Sequence, residues 1–179
     1  MLCYNPIMII ETSKEKTCCF TGHRRLPWGR DEQDINCRRL KLALADVLQA
    51  VYSTGYRHFI CGMATGADLY FGEAVVALRD EHPSVTLEAA IPFSGQEKKW
   101  DEALRARYAR LAESCDEVTV LRGEYTPTCM MDRNRYMVDC SSVVIAVFDG
   151  RSGGTKNTVQ YALSSGVKVI QLPVFASGD

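Results

Sequence analysis

Glycine and small polar residues follow four of the apolar runs in this sequence, at residues 21–25, 62–68, 92–96 and 149–155. Small residues allow a ligand to approach the backbone. A helix that begins at such a point also offers free N–H groups and the positive end of its dipole to an anion. A single glycine after a strand is more often an ordinary turn, so the indication of a binding site comes from finding four such stretches in one chain. The pattern predicts a binding site for a phosphate-bearing ligand.

The most specific of these stretches contains Gly153, Gly154 and Thr155, because it opens a predicted helix soon after the most apolar run. It is not a P-loop, which needs a Gly-Lys-Ser/Thr sequence, and it lacks the G-x-G-x-x-G fingerprint of dinucleotide-binding proteins. We therefore predict phosphate binding at this position without assigning a standard nucleotide motif.

Charged residues in and near these stretches indicate how an anion would be held. Arg24 could bind a phosphate through two hydrogen bonds, and Arg133 and Asn134 open another predicted helix on the same side. Asp68 suits either a helix cap or a ligand contact, and His23 either a turn or a general acid. The sequence has no paired carboxylates, no serine nucleophile motif and no clustered His/Cys set, so it predicts no metal site.

The overall composition argues against several classes of partner. The 179 residues include 21 basic and 22 acidic side chains, which give a formal net charge of −1. Such a chain has no bulk field to attract nucleic acid or an anionic membrane, and no apolar run reaches the roughly 20 residues of a membrane-spanning helix. The eight cysteines include no Cys-x-x-Cys pair, which favours free thiols in a reducing compartment. We predict a cytoplasmic protein without nucleic-acid or membrane partners.

Short apolar runs alternate with helical stretches along the chain. The predicted strands are residues 18–21, 58–61, 86–91, 117–121, 143–148 and 167–172. The predicted helices are residues 34–53, 66–80, 98–115, 130–140 and 155–165. This alternation is typical of a mostly parallel sheet with right-handed crossovers, so we predict an α/β fold with a single Rossmann-like three-layer domain.

This domain is predicted to occupy residues 17–179, after an N-terminal extension of residues 1–16 that we expect to be dispensable. In an open parallel sheet, ligands bind beyond the carboxyl ends of the strands. All four glycine-containing or polar stretches follow such ends, so they are expected to meet at one edge of the sheet.

Several of these motifs, taken in order, resemble those of the SLOG superfamily and its YpsA-like branch. The similar segments are residues 19–24, 62–68, 91–100, 133–139 and 149–155. The resemblance implies a Rossmann-like domain that binds a nucleotide or a nucleotide-derived ligand such as NAD or ADP-ribose, as a sensor or regulatory module. The residues predicted to bind this ligand are Thr21, Gly22, Arg24, Gly62, Ala64, Gly66, Asp68, Pro92, Gln96, Arg133, Asn134, Asp149, Gly153, Gly154 and Thr155.

Two alternatives follow from other branches of the superfamily. The cytokinin-activating phosphoribohydrolases have a Gly-Gly-x-Gly-Thr-x-x-Glu motif and an upstream catalytic Arg. Arg133 could correspond to that Arg, but Thr158 stands where the Glu would be, and a hydroxyl does not act as a carboxylate does. An enzyme that hydrolyses an N-glycosidic or phosphate bond of a nucleotide, with Arg133 as electrostatic stabiliser and Asp68 or Asp149 as the carboxylate, is the first alternative. Single-stranded nucleic-acid binding, as in the DNA-processing branch, is the second, and a homodimer is expected by superfamily analogy.

Overall fold

The computed structural model describes residues 12–175, in which six β-strands form one sheet. The strands are β1 (Thr17–Gly22), β2 (His58–Cys61), β3 (Thr86–Ile91), β4 (Glu117–Val120), β5 (Val143–Val147) and β6 (Lys168–Leu172). They lie in the order β4-β3-β2-β1-β5-β6, and every neighbouring pair is parallel. The prediction of a mostly parallel sheet is confirmed, and the sheet is parallel throughout the described residues.

The α-helices of the described residues form the outer layers. They are α1 (Ile35–Ser53), α2 (Ala67–Glu81), α3 (Glu102–Glu113), α4 (Cys129–Asp139) and α5 (Gly154–Ser164). Helices α1, α2 and α3 pack on one face of the sheet, and α4 and α5 pack on the other. Helix α3 begins later than predicted because the Asp101 side chain accepts a hydrogen bond from the Leu104 N–H and caps the helix there.

The two cores between the layers arise because strand side chains alternate between the faces of the sheet. Phe20 of β1 points towards α2, where its ring stacks on Phe71 with centroids 4.5 Å apart. Cys19 points to the opposite face and belongs to the core that contains Ile60 and Met137. Strand β5 is buried at all 5 of its residues, which accounts for its unbroken apolar sequence.

The order of the strands reverses between β1 and β5. From β1 the chain adds β2, β3 and β4 on one side, and it then crosses over to add β5 and β6 on the other. The loops that follow β1 and β5 lead to helices on opposite faces of the sheet. A crevice therefore forms between them at the carboxyl edge, which is the usual ligand position in folds of this kind.

The predicted N-terminal extension lies mostly outside the described residues. Its described end forms a short 3-10 helix, Lys14–Lys16, in which the Lys16 N–H donates to the Ser13 carbonyl at 3.0 Å. That the extension is dispensable stays a prediction. Between residues 12 and 175, none of the helices combines the length and the apolar character needed to cross a bilayer.

Candidate functional site

A cavity of about 350 Å³ opens at the carboxyl edge of the sheet, at the switch point between β1 and β5. Phe20, His23, Met130 and Met137 form part of its wall. Nine of the residues predicted to bind ligand form the rest, namely Thr21, Gly22, Arg24, Ala64, Asp68, Arg133, Asn134, Gly154 and Thr155. We call this space the rim cavity.

Arg133 is a deeply buried cation in the wall of the rim cavity, with 4% of its surface exposed. Its Nη1 donates to the Gly62 carbonyl, and its Nε donates to Asn134 Oδ1 at 2.8 Å. Both acceptors are uncharged. Burial lowers the pKa of Arg133, and the nearby Asp68 carboxylate partly opposes this effect. An anion in the cavity would offset the free-energy cost of burying the guanidinium charge.

Gly62 allows the Arg133 side chain to take this position. A Cβ at residue 62 would collide with the guanidinium of Arg133 and would lie 2.8 Å from Asp68 Oδ2. Any other residue would therefore displace the arginine from the end of β2. Gly62 is not itself part of the cavity wall, and its contribution is to leave room for a residue that is.

Asp68 is a buried carboxylate at the second residue of α2. Its Oδ2 accepts a hydrogen bond from the Ala64 N–H at 3.1 Å, so it holds the loop that precedes the helix. Burial raises the pKa of Asp68 and outweighs the opposing effects of Arg133, the Ala64 N–H and Arg24. The sequence allowed either a helix cap or a ligand contact for Asp68. The side chain accepts its hydrogen bond from the loop before α2 instead of from the first turn of the helix, and it also lines the rim cavity.

The N-terminus of α5 borders the same cavity. Its N-cap, Gly153, has a φ of 148° and no side chain with which to bind the first-turn N–H groups. Gly154 and the buried Thr155 then line the cavity. By contrast, α1 and α3 are capped by the carboxylates of Asp34 and Asp101. The first turn of α5 therefore keeps N–H groups of the kind that bind phosphate.

Asp149, a predicted ligand contact and catalytic residue, is not part of the rim-cavity wall. Its Oδ1 lies 2.8 Å from His23 Nε2, and its Oδ2 accepts a hydrogen bond from Arg151 Nε at 2.6 Å. Burial raises the pKa of Asp149, but the hydrogen bonds from Arg151 and the charge of His23 outweigh it, so the pKa lies below the ordinary value. Asp149 is thus engaged in its own ion pairs and positions His23.

The loop after β3 also lies apart from the rim cavity, because β3 is two strands away from the switch point. The buried Gln96 donates through Nε2 to the Met63 carbonyl at 3.2 Å and so supports the loop after β2. Pro92 is buried directly after β3. Gly66 packs closely on the loop after β1, since a Cβ there would lie 2.5 Å from the Arg24 carbonyl oxygen. Gln96 and Gly66 thus join neighbouring loops, and none of these three predicted ligand contacts lines the rim cavity.

A buried threonine occupies the position at which the phosphoribohydrolases carry a catalytic Glu. Thr158 Oγ1 donates to the Gly154 carbonyl at 2.8 Å, so its hydroxyl is engaged inside α5. Among the described residues that line the rim cavity, Asp68 supplies the only carboxylate. The site therefore has two arginines and one carboxylate of raised pKa, instead of a carboxylate pair.

Two further cavities adjoin the rim cavity. A cleft of about 430 Å³ between α4 and α5, which we call the helix cleft, shares Met130, Asn134 and Gly154 with it. A larger space of about 760 Å³ shares Arg24 with it and is lined in part by Tyr70 and Trp100. We call this space the basic groove because its wall includes Arg24, Arg25, Arg30, Lys99, Arg107 and Arg110.

Sequence reasoning missed the methionines of the site. The sulfur of Met130 lies 3.3 Å from Arg24 Nη2, and Met137 closes the inner end of α4 against the cavity. Methionine carries no chemical motif of its own. The available signal is positional, because Met130, Arg133, Asn134 and Met137 recur at the spacing of one helical face.

Two solved structures share this fold. DNA processing protein A (DprA) from Streptococcus pneumoniae is 18% identical with a TM-score of 0.62, over 93% of this chain and 53% of that one. The same protein from Helicobacter pylori, whose structure was reported for its single-stranded DNA binding mode, is 15% identical with a TM-score of 0.61, over 92% and 68%. The chain spans about half of the S. pneumoniae protein. These similarities and the switch-point cavity define the class, a Rossmann-like α/β protein.

The family is shown by sequence comparison. The model of the YspA SLOG family matches residues 18–169. A relative in Bacillus subtilis (strain 168), the uncharacterized SPbeta prophage-derived protein YoqJ, is 31% identical over 137 residues, which are 69% of this chain and 80% of YoqJ. The chain therefore belongs to the YspA SLOG family, and the resemblance found in its motifs is confirmed.

Proposed function

We propose that this protein binds a nucleotide or a nucleotide-derived ligand in the rim cavity and acts as a sensor or regulatory module. The observation that carries the proposal is the meeting of two anion-binding features there, the buried guanidinium of Arg133 and the uncapped N-terminus of α5. Arg24 adds an exposed cation to the same wall. A phosphate between them would accept charge-assisted hydrogen bonds from both sides.

The sizes of the cavities support a ligand larger than phosphate. Ligand pockets commonly enclose about 300–1,000 Å³, so the rim cavity alone, at about 350 Å³, suits a phosphate with its sugar. A base would extend into the helix cleft or into the basic groove, where the half-buried Trp100 offers an aromatic ring. NAD or ADP-ribose, which carry groups on both sides of a pyrophosphate, would use two of these spaces at once.

A regulatory role fits this site better than turnover. Arg133 can stabilise negative charge but cannot serve as a base. Asp68 has a raised pKa, and Asp149 is engaged with His23 and Arg151. We expect the sensor to act in the cytoplasm and, by superfamily analogy, as a homodimer.

A thermal-shift panel tests the proposal, with AMP, ADP, ATP, NAD and ADP-ribose as ligands and adenosine as the unphosphorylated control. A ligand at about 100 times its Kd adds about 2.7 kcal/mol to the free energy of unfolding, which raises Tm by roughly 5–11 °C for a chain of this length. We expect a shift only with phosphorylated ligands. An equal shift with adenosine, or none with any ligand, would contradict phosphate recognition in the rim cavity. Release of free base from the same mixtures would contradict a purely regulatory role.

Single-stranded nucleic-acid binding is a second candidate function, and the basic groove is the observation that favours it. The groove joins the rim cavity at Arg24, so a strand could place one phosphate in the cavity and others along the groove. Some of the cations are already paired, since Arg30 meets Asp101 and Arg107 meets Glu73. If a single-stranded oligonucleotide binds here, its affinity must fall steeply with salt, and the Lys99→Gln variant must weaken it. A flat salt response would exclude this function.

A further inference from the structure

A second polar cluster lies far from the carboxyl rim, on the sheet face that α4 covers. His58 is the first residue of β2, Glu88 lies within β3, and Glu117 is the first residue of β4. The strand register pairs Ile60 with Glu88 and Glu88 with Glu117. Because residues two apart on a strand share a face, the three polar side chains point to the same side of the sheet.

The donor atoms of the cluster lie close together. One ligand atom from each of His58, Glu88 and Glu117 lies within 4.8 Å of the other two. His58 Nε2 is 3.0 Å from Glu88 Oε2. Both of these residues are buried, whereas Glu117 is exposed, and the cluster borders a cavity of about 260 Å³ that Cys140 also lines.

Neighbouring hydroxyl groups orient the two buried donors. Thr86 Oγ1 lies 2.8 Å from His58 Nδ1, which leaves Nε2 directed at the cluster. Tyr136 donates from its hydroxyl to Glu88 Oε1 at 2.7 Å, which leaves Oε2 directed at the same point. Metal ligands in proteins are held in this way, with the second atom of each imidazole or carboxylate bound to an outer partner.

Stability alone is a weak reason for such a group in a sheet. A buried ion pair is often no more stabilising than apolar residues of the same volume, because both charges lose their hydration. One imidazole and two carboxylates with an open position are, however, a donor set that suits Zn²⁺ and related divalent metals.

We propose that His58, Glu88 and Glu117 bind a first-row divalent metal ion, for which Zn²⁺ is the best fit. Bonds of about 2.0–2.2 Å in a tetrahedral site require donor atoms about 3.3–3.6 Å apart. The His58–Glu88 separation of 3.0 Å is near this range, and a donor atom of the exposed Glu117 already lies within 4.8 Å of the other two. Three protein ligands would leave a fourth position for water.

Titration of the chelator-treated full chain with Zn²⁺, by calorimetry, tests the proposal. We expect the wild type to bind one Zn²⁺ ion. In Glu117→Gln the affinity should fall about 100-fold, because one metal ligand is lost. The core should not be disturbed, because Glu117 is exposed on an edge strand. Glu124→Gln, which changes an exposed Glu outside the cluster, is the matched control and should leave the affinity unchanged. Equal affinities of wild type and Glu117→Gln, or no binding by wild type, would overturn the proposal.

Two more variants separate this site from binding by thiols or from a purely structural network. Tyr136→Phe keeps the ring but removes the hydroxyl that orients Glu88, and should weaken Zn²⁺ by about 10-fold or more. Cys140→Ser should retain the site. Loss of binding in Cys140→Ser together with unchanged binding in Tyr136→Phe would assign the zinc to the thiol and refute the site.

Discussion

Arg133 and Glu88 are both almost fully buried charges, at 4% and 3% exposure, but their surroundings differ. At the sheet face, the Glu88 carboxylate contacts His58 through Oε2 and the Tyr136 hydroxyl through Oε1, so both of its oxygens have hydrogen-bond partners within the chain. At the rim, the hydrogen bonds of Arg133 in the described residues go to two neutral oxygens, and the space beside it is a cavity. In the metal-free protein the Glu88 carboxylate already has hydrogen-bond partners on both oxygens, whereas the Arg133 guanidinium has no hydrogen bond to a carboxylate among the described residues and gains most from an external anion.

The difference suggests a way to distinguish a buried charge that is hydrogen-bonded within the chain from one that borders an open cavity. Removing a partner from a satisfied pair should reduce stability and leave nucleotide binding unaffected. Altering the rim should reduce binding with a smaller effect on stability. Four substitutions test this contrast.

The largest effect is expected at the sheet face. His58→Leu removes the His58 Nε2 contact of the buried Glu88 carboxylate, which should cost about 3–5 kcal/mol in urea unfolding of the metal-free protein. The thermal shift produced by a phosphorylated nucleotide should persist. The double variant His58→Leu with Glu88→Leu should recover part of the loss, because no charge is then buried. A loss below about 1 kcal/mol in the single variant would remove the contrast.

Gly154→Asp should abolish nucleotide binding, with a loss on the order of 100-fold or more in affinity, because it places a carboxylate where the phosphate would lie. The fold should persist, since the nearest atom to a Cβ at residue 154 is Asn134 Nδ2 at 4.0 Å. An acidic residue in the first turn also interacts favourably with the helix dipole.

Gly123→Asp is the matched control, because Gly123 is exposed and has no atom within 4 Å of an added Cβ. Isothermal titration with the ligand found in the thermal-shift panel should show full affinity in this variant. Full affinity in a folded Gly154→Asp protein would show that the phosphate does not bind at α5.

Gly62→Ala should weaken binding by roughly 10-fold while Arg133 is still present, because the added methyl displaces the guanidinium from the cavity wall. Overpacking should also cost about 1–3 kcal/mol of stability. Gly123→Ala adds the same methyl in open space and should change neither quantity. Unchanged affinity in Gly62→Ala would mean that the position of Arg133 does not matter for the ligand.

The smallest effect concerns pH. Burial raises the folded-state pKa of Asp68 above its ordinary value of 3.8. The carboxyl proton of Asp68 is therefore bound more tightly in the folded state than in the unfolded state. As a result, the contribution of Asp68 to the free energy of unfolding falls as the pH rises through the raised pKa. Asp68→Asn cannot ionise and can still accept from the Ala64 N–H. In urea unfolding near neutral pH, we expect Asp68→Asn to have a slightly larger free energy of unfolding than wild type. This difference should disappear on acidification, when Asp68 of the wild type is protonated. A gap independent of pH would contradict the raised pKa.

The order of the elements could be predicted closely from local patterns. Strands β2 and β3 begin and end at the predicted residues, α1 begins one residue later than predicted, and α2, α4 and α5 are each displaced by one residue at both ends. Apolar periodicity and glycine stops are local signals, so they fix these boundaries. The amphipathic pattern includes Trp100 and so predicts too early a start for α3, whereas the Asp101 cap determines where the helix begins.

The site could be predicted only in part. The loops after β1, β2 and β5 do meet in the rim cavity, because those strands are adjacent in the sheet. Pro92 and Gln96 do not join them, because β3 lies farther from the switch point. The sequence lists strands in chain order, and the order within the sheet depends on packing between distant segments.

The sequence by itself determined the alternation of strands and helices, the family, and the glycines and arginines that surround the rim. These follow from side-chain type and short-range spacing. Tertiary structure alone decided that Arg133 would be buried against Gly62, that Asp149 would pair with His23, and that His58, Glu88 and Glu117 would converge. Each of these contacts joins residues that are distant in the chain, so their distances and burial arise only when the sheet and its covering helices assemble.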